Sequence, residues 1–420
     1  MKPLPSAPMR FLLRPCEPED LPALERFAAA SPVGITTLPN NRVALADRLA
    51  RSCHAFATDD ASGEEIYLFA LQALGGNKNG SDKVIGISGI AARAGFSDRF
   101  YSFRNEFVVH RSSALGVNTR VHTLHLCHDL TDVSLLISFH IDAAYADTLA
   151  PQLLSRARLL FIAQHPERFA DRLAAESAGI ADDNGRCPLW DAVGRRFFGM
   201  DYPAVERLTG GRSKSFIADL MPPSPVYVPL LPEEAQWAIG QLHPVAELPF
   251  SILLDEGFDT DTYVDIFDGG PTVQERIAML KTVARSRVLA VRCTEQQQDS
   301  LGSDVTPRRD SLGSDVTPRH DSLGSDVTPR HDSLGSDVTP RRDSESARNW
   351  QIVASAALGQ FRAVLTQAHT SPEEITLDRI AFDALGVTLG ERVRVAQLDV
   401  ADLDAREVAL TGISANEASR

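Results

Sequence analysis

His243 is the side chain in this sequence whose type best fits the transfer of a proton. It lies in the segment IGQLHP, residues 239–244. Imidazole is the side-chain group that titrates closest to neutral pH, so a histidine can serve as an acid or as a base there. The competing interpretation is a loop histidine that Pro244 holds in an extended conformation.

Three charged side chains have the chemistry to hold a charged small molecule. Arg104, in FYSFRNE, can bind a carboxylate through two parallel hydrogen bonds. Asp265 and Asp268, in DIFDGG, can pair with a guanidinium. For all three, a structural ion pair or a turn cap is the alternative, because aspartates and arginines commonly have those roles.

The segment HTLHLCH, residues 122–128, raises the question of a metal site. On a strand, His122 and His128 share one face, while His125 and Cys127 point to the other. On a helix the three histidines spread over a wide arc. Neither geometry gathers three ligands around one ion, so the sequence predicts no bound metal.

A strand, a tight turn and a helix are predicted over residues 133–163, and they must position this chemistry. The strand is the apolar run Val133, Leu135, Leu136, Ile137, Phe139 and Ile141. The helix is predicted to be amphipathic, with Gln152, Arg156 and Arg158 off its apolar face. Either Asp147 or Thr148 can cap it, and first-turn amides at such a junction can bind an anion.

Further elements alternate along the chain in the manner of an α/β (α+β) protein. Strands are predicted at 10–14, 66–70, 84–89, 101–110, 121–128, 172–180, 215–220 and 263–267. Helices are predicted near residue 20 and at 188–198, 233–241, 249–256 and 272–284. A small β-rich module is predicted after residue 350, where the apolar pattern returns.

A repeat separates that module from the rest of the chain. Residues 299–342 hold four near-identical copies of DSLGSDVTPR, each followed by Arg or His. Each copy carries a Gly and a Pro and only two apolar residues, so the segment is predicted to be a disordered spacer without catalytic duty.

The composition excludes several classes of protein. The chain has 420 residues and a net charge of −14, which argues against nucleic acid or an anionic membrane as its main partner. Its five cysteines show no CxxC spacing, as expected for free thiols in a reducing cytoplasm. No signal peptide is recognisable, and no apolar run approaches the roughly 20 residues of a membrane span.

Eight collinear blocks of the sequence resemble the arginine N-succinyltransferase family, and most closely the alpha subunit of its two-subunit arginine/ornithine enzymes. The blocks are SPVGITTLP (31–39), GFSDRFYSFRNEFVVH (95–110), LCHDLTD (126–132), LLSRARLLFIAQHPERFAD (153–171), PLWDAVGRRFFGMDY (188–202), FIADLMPPSPVYVPLLP (216–232), IGQLHP (239–244) and YVDIFDGGPT (263–272). The resemblance implies a GNAT-like acyltransferase core, with a mixed, mainly antiparallel sheet and flanking helices.

The resemblance also implies an activity. The family transfers a succinyl group from succinyl-CoA to the α-amine of L-arginine, and L-ornithine is a possible second acceptor. His243 falls at the position of the family's proton donor, and Phe139 falls where the family contacts succinyl-CoA. For Phe139 a core-facing aromatic on a buried strand is the alternative. Succinyl-CoA is expected as a co-substrate, with no permanently bound cofactor, and a beta subunit is the expected partner.

One loop departs from the family pattern. Residues 143–151 contain no Gly, whereas one-chain members have an Arg and two Gly there. Asp147 adds a negative charge near the expected pyrophosphate, and Pro151 removes an amide donor. The alternative to an active enzyme is therefore a catalytically silent subunit that binds an amino acid or stabilises its partner.

The predicted domain organisation has four parts. Residues 1–155 form a first GNAT-like half, and 156–292 complete the core. Residues 293–345 form the repeat linker, and 346–420 form the C-terminal module.

Overall fold

The computed structural model describes residues 10–31, 38–59, 61–75, 83–96, 98–209, 219–294 and 350–399. The repeat tract 299–342 and most of the strand predicted at 215–220 lie outside these ranges. In the described part of the chain, no helix combines the length and the apolar composition that a membrane span requires.

The described residues form one large sheet with helices packed against it. Its strands are β1 (Arg10–Pro15), β2 (Ile66–Leu74), β3 (Lys83–Ala91), β4 (Ser102–Ser112), β5 (Val117–Cys127), β6 (Ser134–Ile141), β7 (Arg172–Glu176), β8 (Val226–Tyr227), β9 (Asp259–Val264), β10 (Pro271–Arg276), β11 (Arg287–Cys293), β12 (Trp350–Ala354), β13 (Ala363–Gln367), β14 (His369–Thr370), β15 (Glu374–Leu377) and β16 (Arg392–Leu398). Its helices are α1 (Leu21–Ala30), α2 (Arg42–Ala57), α3 (Ala150–Gln164), α4 (Pro188–Ala192), α5 (Gly194–Phe198), α6 (Tyr202–Thr209), α7 (Glu233–Ala238), α8 (Pro244–Glu256), α9 (Lys281–Arg285) and α10 (Arg379–Leu385).

The sheet is mixed. Its strand order is β14-β15-β11-β16-β12-β13-β1-β2-β3-β6-β7-β10-β9-β4-β5-β8. Among the described strands, β6 with β7 and β11 with β15 are the parallel neighbours, and the other neighbours are antiparallel. This confirms the predicted mixed α/β architecture with a large sheet and flanking helices.

Most predicted strands are present, but the helix predicted over 272–284 is wrong. Residues Pro271–Arg276 form β10, and only Lys281–Arg285 are α-helical. β10 is antiparallel to both β7 and β9, so its backbone hydrogen bonds are made within the sheet. Thr272 and Val273 are β-branched and buried, which suits a strand. The spacing of apolar residues in the sequence could not show that β7 and β9 lie on either side of this segment.

Two helix boundaries also differ from the prediction. The helix predicted at 249–256 begins at Pro244, so Pro244 opens a helix and does not mark the end of the preceding one. Proline is tolerated in a first turn, where its missing N–H would have no helical partner. The helix predicted over 188–198 is divided into α4 and α5 at Val193.

The prediction that α3 is amphipathic is wrong, because the helix is buried on nearly every side. Gln152, Arg156 and Arg158, which the sequence placed off the apolar face, are 5%, 8% and 2% exposed. The helix packs on β3, β6 and the C-terminal strands on one side, and on α8 and α9 on another. The sequence periodicity could not show that these distant segments cover its polar side.

A buried ion pair joins three of these helices. Glu256, at the end of α8, is 1% exposed, and its Oε1 accepts a hydrogen bond from Nε of Arg156 in α3 at 2.7 Å. The same carboxylate accepts from the amide and hydroxyl of Thr282 in α9, at 2.8 and 2.7 Å. Each carboxylate oxygen therefore has a partner, as a buried charge requires.

The C-terminal strands continue the same sheet. β13 pairs with β1, and β11 pairs with β15 and β16. The C-terminal module therefore forms backbone hydrogen bonds with β11, a strand that precedes the repeat in the sequence. The four-part domain division remains a prediction.

We expect Glu256→Ala to lower the free energy of unfolding by about 3–5 kcal/mol, because it removes the closer of the two carboxylates beside the buried Arg156 guanidinium, the other being Asp255 at 4.0 Å. Urea denaturation followed by circular dichroism measures this. Glu247→Ala, an exposed glutamate on the same helix, is the control and should cost less than about 1 kcal/mol. Equal, small losses for both variants would contradict the role assigned to the buried pair.

Candidate functional site

The two parallel strands at the centre of the sheet, β6 and β7, pair over a short length. Only Ser134 with Leu173 and Leu135 with Ala174 are register partners. β6 continues to Ile141, and in the described part of the chain its last six residues have no register partner on β7. We call this stretch, where β6 continues without a register partner on β7, the opening between β6 and β7. Strand backbone that is unpaired on one side can bind an extended ligand.

A β-bulge in β6 lies beside this opening. Ile87 of β3 faces His140, and Gly89 faces Ile137, so Ser138 and Phe139 together oppose one residue of β3. Ser138 has φ of 55°, which is unusual for a residue other than glycine. Bulges of this kind redirect side chains next to active sites. No glycine or proline marks this position, so the bulge could not be recognised from the residue types alone.

The bulge decides which face of the sheet Phe139 occupies. Residues alternate between the faces of a strand, so an unbroken strand would place Phe139 with Ile137. The extra residue reverses the alternation, and Phe139 packs on the same core cluster as Leu136 and α3. The Phe139 ring is half-buried there, and the Arg158 guanidinium lies 5.8 Å from its centroid.

His140 consequently points to the opposite face. Its Nδ1 lies 3.3 Å from the Ser31 hydroxyl, and its ring lies 6.3 Å from that of Phe27. Its Nε2 is buried, and no hydrogen-bond partner for it exists among the described residues. Burial lowers the pKa of His140 to about 4, so the ring is neutral at physiological pH.

His243 lies where the segment after β7 meets the start of α8. Its backbone N–H donates to the carbonyl of Ala178 at 2.9 Å, which ties the residue to the β7 side of the opening. It is also the N-cap of α8, because its Nδ1 accepts from the amide of Val245 at 3.3 Å. The ring is half-buried. Both the chemical and the structural interpretations of His243 remain compatible with this position.

Asp265 and Asp268 organise the turn between β9 and β10. They are 6% and 4% exposed. Asp265 Oδ1 accepts from the amide of Phe267 at 2.6 Å. Asp268 accepts from the amides of Gly179 and Gly270, each at 2.8 Å. This geometry favours the turn-cap alternative, and a role in binding substrate remains a prediction.

Two backbone segments come unusually close at this turn, which is why glycines occupy it. A Cβ on Gly179 would lie 2.6 Å from the Asp268 carbonyl oxygen, and one on Gly270 would lie 2.1 Å from that of Ser177. The amide of Gly240 donates to the carbonyl of Gly269 at 2.8 Å. The turn therefore supports both the segment after β7 and the segment that leads to His243.

Arg104 lies on β4 and is engaged by two carboxylates. Its Nη1 contacts Asp129 Oδ2 at 2.9 Å, and its Nε pairs with Glu106. The Tyr263 hydroxyl also donates to Asp129, at 3.3 Å. A substrate carboxylate would have to displace these partners, so the geometry favours the ion-pair alternative for Arg104.

The histidines of residues 122–128 have other neighbours. His122 Nε2 hydrogen-bonds to Asn105 Oδ1, and its ring stacks on Phe107 with centroids 5.0 Å apart. His125 lies 3.1 Å from the Thr123 hydroxyl. Within the described residues, no group of three His, Cys, Asp or Glu side chains is arranged to hold a metal ion.

The start of α3 offers few amides to an anion. The N-cap of α3 is Leu149, without a side-chain cap, so neither Asp147 nor Thr148 is the N-cap. The Thr148 hydroxyl nevertheless accepts from the amide of Ala150 at 3.1 Å. Pro151 has no N–H, and Leu153 donates to the carbonyl of the preceding turn at 3.2 Å. Asp147 is exposed beside this end. The helix dipole remains, but most of its first-turn donors are already used.

Comparisons with known proteins identify the class of the chain. A family model described as "Arginine N-succinyltransferase beta subunit" matches residues 11–282, and a model of the C-terminal domain of the same family matches residues 343–397. The structure of arginine/ornithine succinyltransferase subunit AI from Pseudomonas aeruginosa superposes with a TM-score of 0.72 and 37% identity, and the match covers 93% of this chain and 99% of that one. The class is that of acyltransferases.

Individual relatives define the family more narrowly. Arginine N-succinyltransferase subunit alpha of Pseudomonas aeruginosa is 47% identical over 68% of this chain and 83% of its own length. Subunit beta of the same organism is 40% identical over 67% and 82%. Arginine N-succinyltransferase of Yersinia pestis is 34% identical over 92% and 97%. The chain belongs to the arginine N-succinyltransferase family.

We expect the stability of the wild-type protein to fall as the pH drops from about 6.5 to about 4, partly because of His140. The unfolded state binds a proton in this window and the folded state does not, so acid favours unfolding. His140→Leu should remove a contribution on the order of 3 kcal/mol at pH 4. Urea denaturation at pH 7, 5.5 and 4 measures it.

His54→Leu, an exposed histidine of α2, is the control for this pH series and should follow the wild-type curve. If the His140 and His54 variants have the same pH dependence, His140 is not held neutral by burial.

Asp268→Asn should reduce stability by about 1–3 kcal/mol and lower kcat, without a large change in the KM for the amino-acid substrate. The reason is that its carboxylate holds two loop amides that support the His243 segment. Thermal unfolding and steady-state kinetics measure the two effects. A KM raised more than about tenfold at unchanged stability would instead indicate direct contact with the substrate.

Proposed function

We propose that this chain transfers the succinyl group of succinyl-CoA to the α-amine of L-arginine, and accepts L-ornithine as a second acceptor. Family membership supports this, and so do the names of the relatives. The single structural observation that carries the proposal is the opening between β6 and β7, with His243 tied to its β7 side. A thioester arm in that opening would lie against strand backbone, next to a residue able to move protons.

The reaction sets clear demands on protons. The amine nitrogen attacks the thioester carbonyl carbon, a C–N bond forms, and the C–S bond breaks as the thiolate leaves. Of the three protons on the ammonium group, one stays on the amide nitrogen, one ends on sulfur and one goes to solvent. A side chain that carries a proton between nitrogen and sulfur accelerates both steps, typically by about 10²–10⁴-fold.

His243 is proposed for this proton transfer. In the neutral ring, Nδ1 accepts from Val245, so the proton resides on Nε2. An Nε2–H can donate a hydrogen bond to sulfur as negative charge develops there. The Val245 bond is long at 3.3 Å, so giving it up when the ring becomes doubly protonated costs little.

A GNAT-like core is part of the proposal. Three features support this: the parallel pair β6 and β7, the bulge in β6, and the helix that follows β6. A binding site for an acyl-CoA arm would require such an arrangement. Phe139, redirected by the bulge, is proposed as a contact of succinyl-CoA. The start of α3 is proposed to face the pyrophosphate, although Asp147 and the occupied amides weaken that contact.

A beta subunit is the proposed partner. The alpha and beta relatives of Pseudomonas aeruginosa both match this chain, whereas the Yersinia relative is named without a subunit. A partner that contributes to pyrophosphate binding would offset the weak start of α3. The five cysteines are free thiols, which supports a cytoplasmic location. Contact of Arg104, Asp265 and Asp268 with the amino acid remains a prediction from the sequence, and their partners in the structure favour structural roles.

The assay is CoA release from succinyl-CoA with L-arginine, and separately with L-ornithine, detected with a thiol reagent. The folded chain is assayed alone and mixed with subunit beta of Pseudomonas aeruginosa. Turnover is expected, and turnover only in the mixture would show a shared site. No turnover in either preparation, with native circular dichroism, would leave the silent, stabilising subunit as the better description.

His243→Ala should lower kcat about 10²-fold or more, because proton transfer is lost. His243→Asn is the matched variant: asparagine is a good N-cap, so α8 keeps its cap while the imidazole is removed. Both variants should lose kcat alike in this assay, and the Asn variant should keep wild-type stability. A kcat close to wild type in His243→Asn would make His243 a structural cap only.

A further inference from the structure

Arg158 is a fully buried guanidinium that differs from the other buried arginines of the protein. It is 2% exposed, and in the described part of the chain no carboxylate forms an ion pair with it. Arg156, two residues earlier, has Glu256 at 2.7 Å. Arg168, also buried, has Glu167 at 3.9 Å and the Tyr67 hydroxyl at 3.1 Å.

Among the described residues, the hydrogen-bond partners of Arg158 are all neutral oxygens. Nε donates to the Ser155 carbonyl at 3.2 Å, Nη2 to the Ser155 hydroxyl at 3.1 Å, and Nη1 to the Gly89 carbonyl at 3.3 Å. A guanidinium has five N–H donors, so these three bonds do not use all of them. The guanidinium is thus held in place by neutral groups and retains the capacity to bind an anion.

The charge of Arg158 is costly where it lies. Burial alone lowers the pKa of Arg158 to about 9, with no nearby charge opposing the shift. The group is still protonated at neutral pH, and a buried charge without a counter-ion destabilises the fold. A bound anion would supply the missing counter-charge and offset this cost.

The position of Arg158 relates it to the opening between β6 and β7. The carbonyl that it contacts belongs to Gly89, whose register partner is Ile137, the last residue before the bulge in β6. The Phe139 ring, half-buried beside the opening, lies 5.8 Å from the guanidinium carbon. Arg158 therefore lies beside β6 two residues beyond Leu135, the last residue of β6 with a register partner on β7.

We propose that Arg158 binds the distal carboxylate of the succinyl group and so makes the enzyme select succinyl-CoA over uncharged acyl-CoAs. This rests on the proposed function, and it assigns the specificity for the acyl donor to one side chain. The succinyl group differs from a butyryl group of equal length by ending in a carboxylate. The planar guanidinium can bind that carboxylate through two parallel hydrogen bonds, with Ser155 fixing its orientation.

The test compares succinyl-CoA with butyryl-CoA in the full chain. For Arg158→Met, kcat/KM for succinyl-CoA should fall about 10²-fold, because a charged hydrogen-bonded contact is lost. For butyryl-CoA it should stay within about threefold of wild type. For Arg158→Lys, which keeps the charge but not the fork, the loss on succinyl-CoA should be about tenfold.

Arg156→Lys is the matched control, since it alters a buried arginine on the same helix. Its ratio of succinyl-CoA to butyryl-CoA activity should equal that of the wild type, even if its melting temperature falls. The pair Arg158→Lys and Arg156→Lys decides the question if Arg158→Met does not fold. An equal loss on both donors, or no loss on succinyl-CoA, would overturn the assignment.

Isothermal titration calorimetry separates this inference from the proposed function. The dissociation constants of succinyl-CoA and butyryl-CoA are measured for the wild type and the variants without acceptor. If the wild type binds succinyl-CoA more tightly than butyryl-CoA and Arg158→Met abolishes the difference, the assignment of Arg158 holds even where turnover is absent. If the preference persists in the variant, Arg158 is not its source.

Discussion

The parallel ladder between β6 and β7 ends after two residues on each strand, and the candidate site depends on that early end. A continuous ladder would use the backbone groups along β6 and leave no room for an extended ligand. The bulge at Ser138 lies at the same level and turns Phe139 toward α3. The end of pairing and the bulge together bring the Phe139 ring to 5.8 Å from the Arg158 guanidinium, beside backbone of β6 that has no partner on β7.

The helix α3 contains the main energetic compromise of the fold. It carries two buried guanidinium groups, and each buried charge must be offset. Arg156 is offset within the protein by Glu256, which also joins α8 to α9. In the part of the chain that the structure describes, the hydrogen-bond partners of Arg158 are neutral oxygens. The first arginine therefore serves stability, and the second is available for a ligand, a difference that burial alone would not reveal.

His243 combines a structural role, as the cap of α8, with its proposed role in proton transfer. The turn at Asp268 holds the segment after β7, and that segment holds the backbone of His243. The imidazole in turn caps α8 through Val245. This explains why the sequence could nominate His243 but could not separate its two roles. The cap is a local contact with Val245, whereas the position of the residue beside β7 depends on Ala178, more than sixty positions earlier.

The sequence by itself determined the family, through collinear blocks, and the type of most strands, through apolar runs rich in β-branched residues. It also nominated His243 and Phe139. Only the tertiary structure decided that 271–276 is a strand, that α3 is buried on nearly every side, and that Arg158 has no carboxylate partner among the described residues. Local periodicity reports which face of an element is apolar. It cannot report which distant segment covers the polar face, and here that coverage determines whether a charge is paired, exposed or available to a ligand.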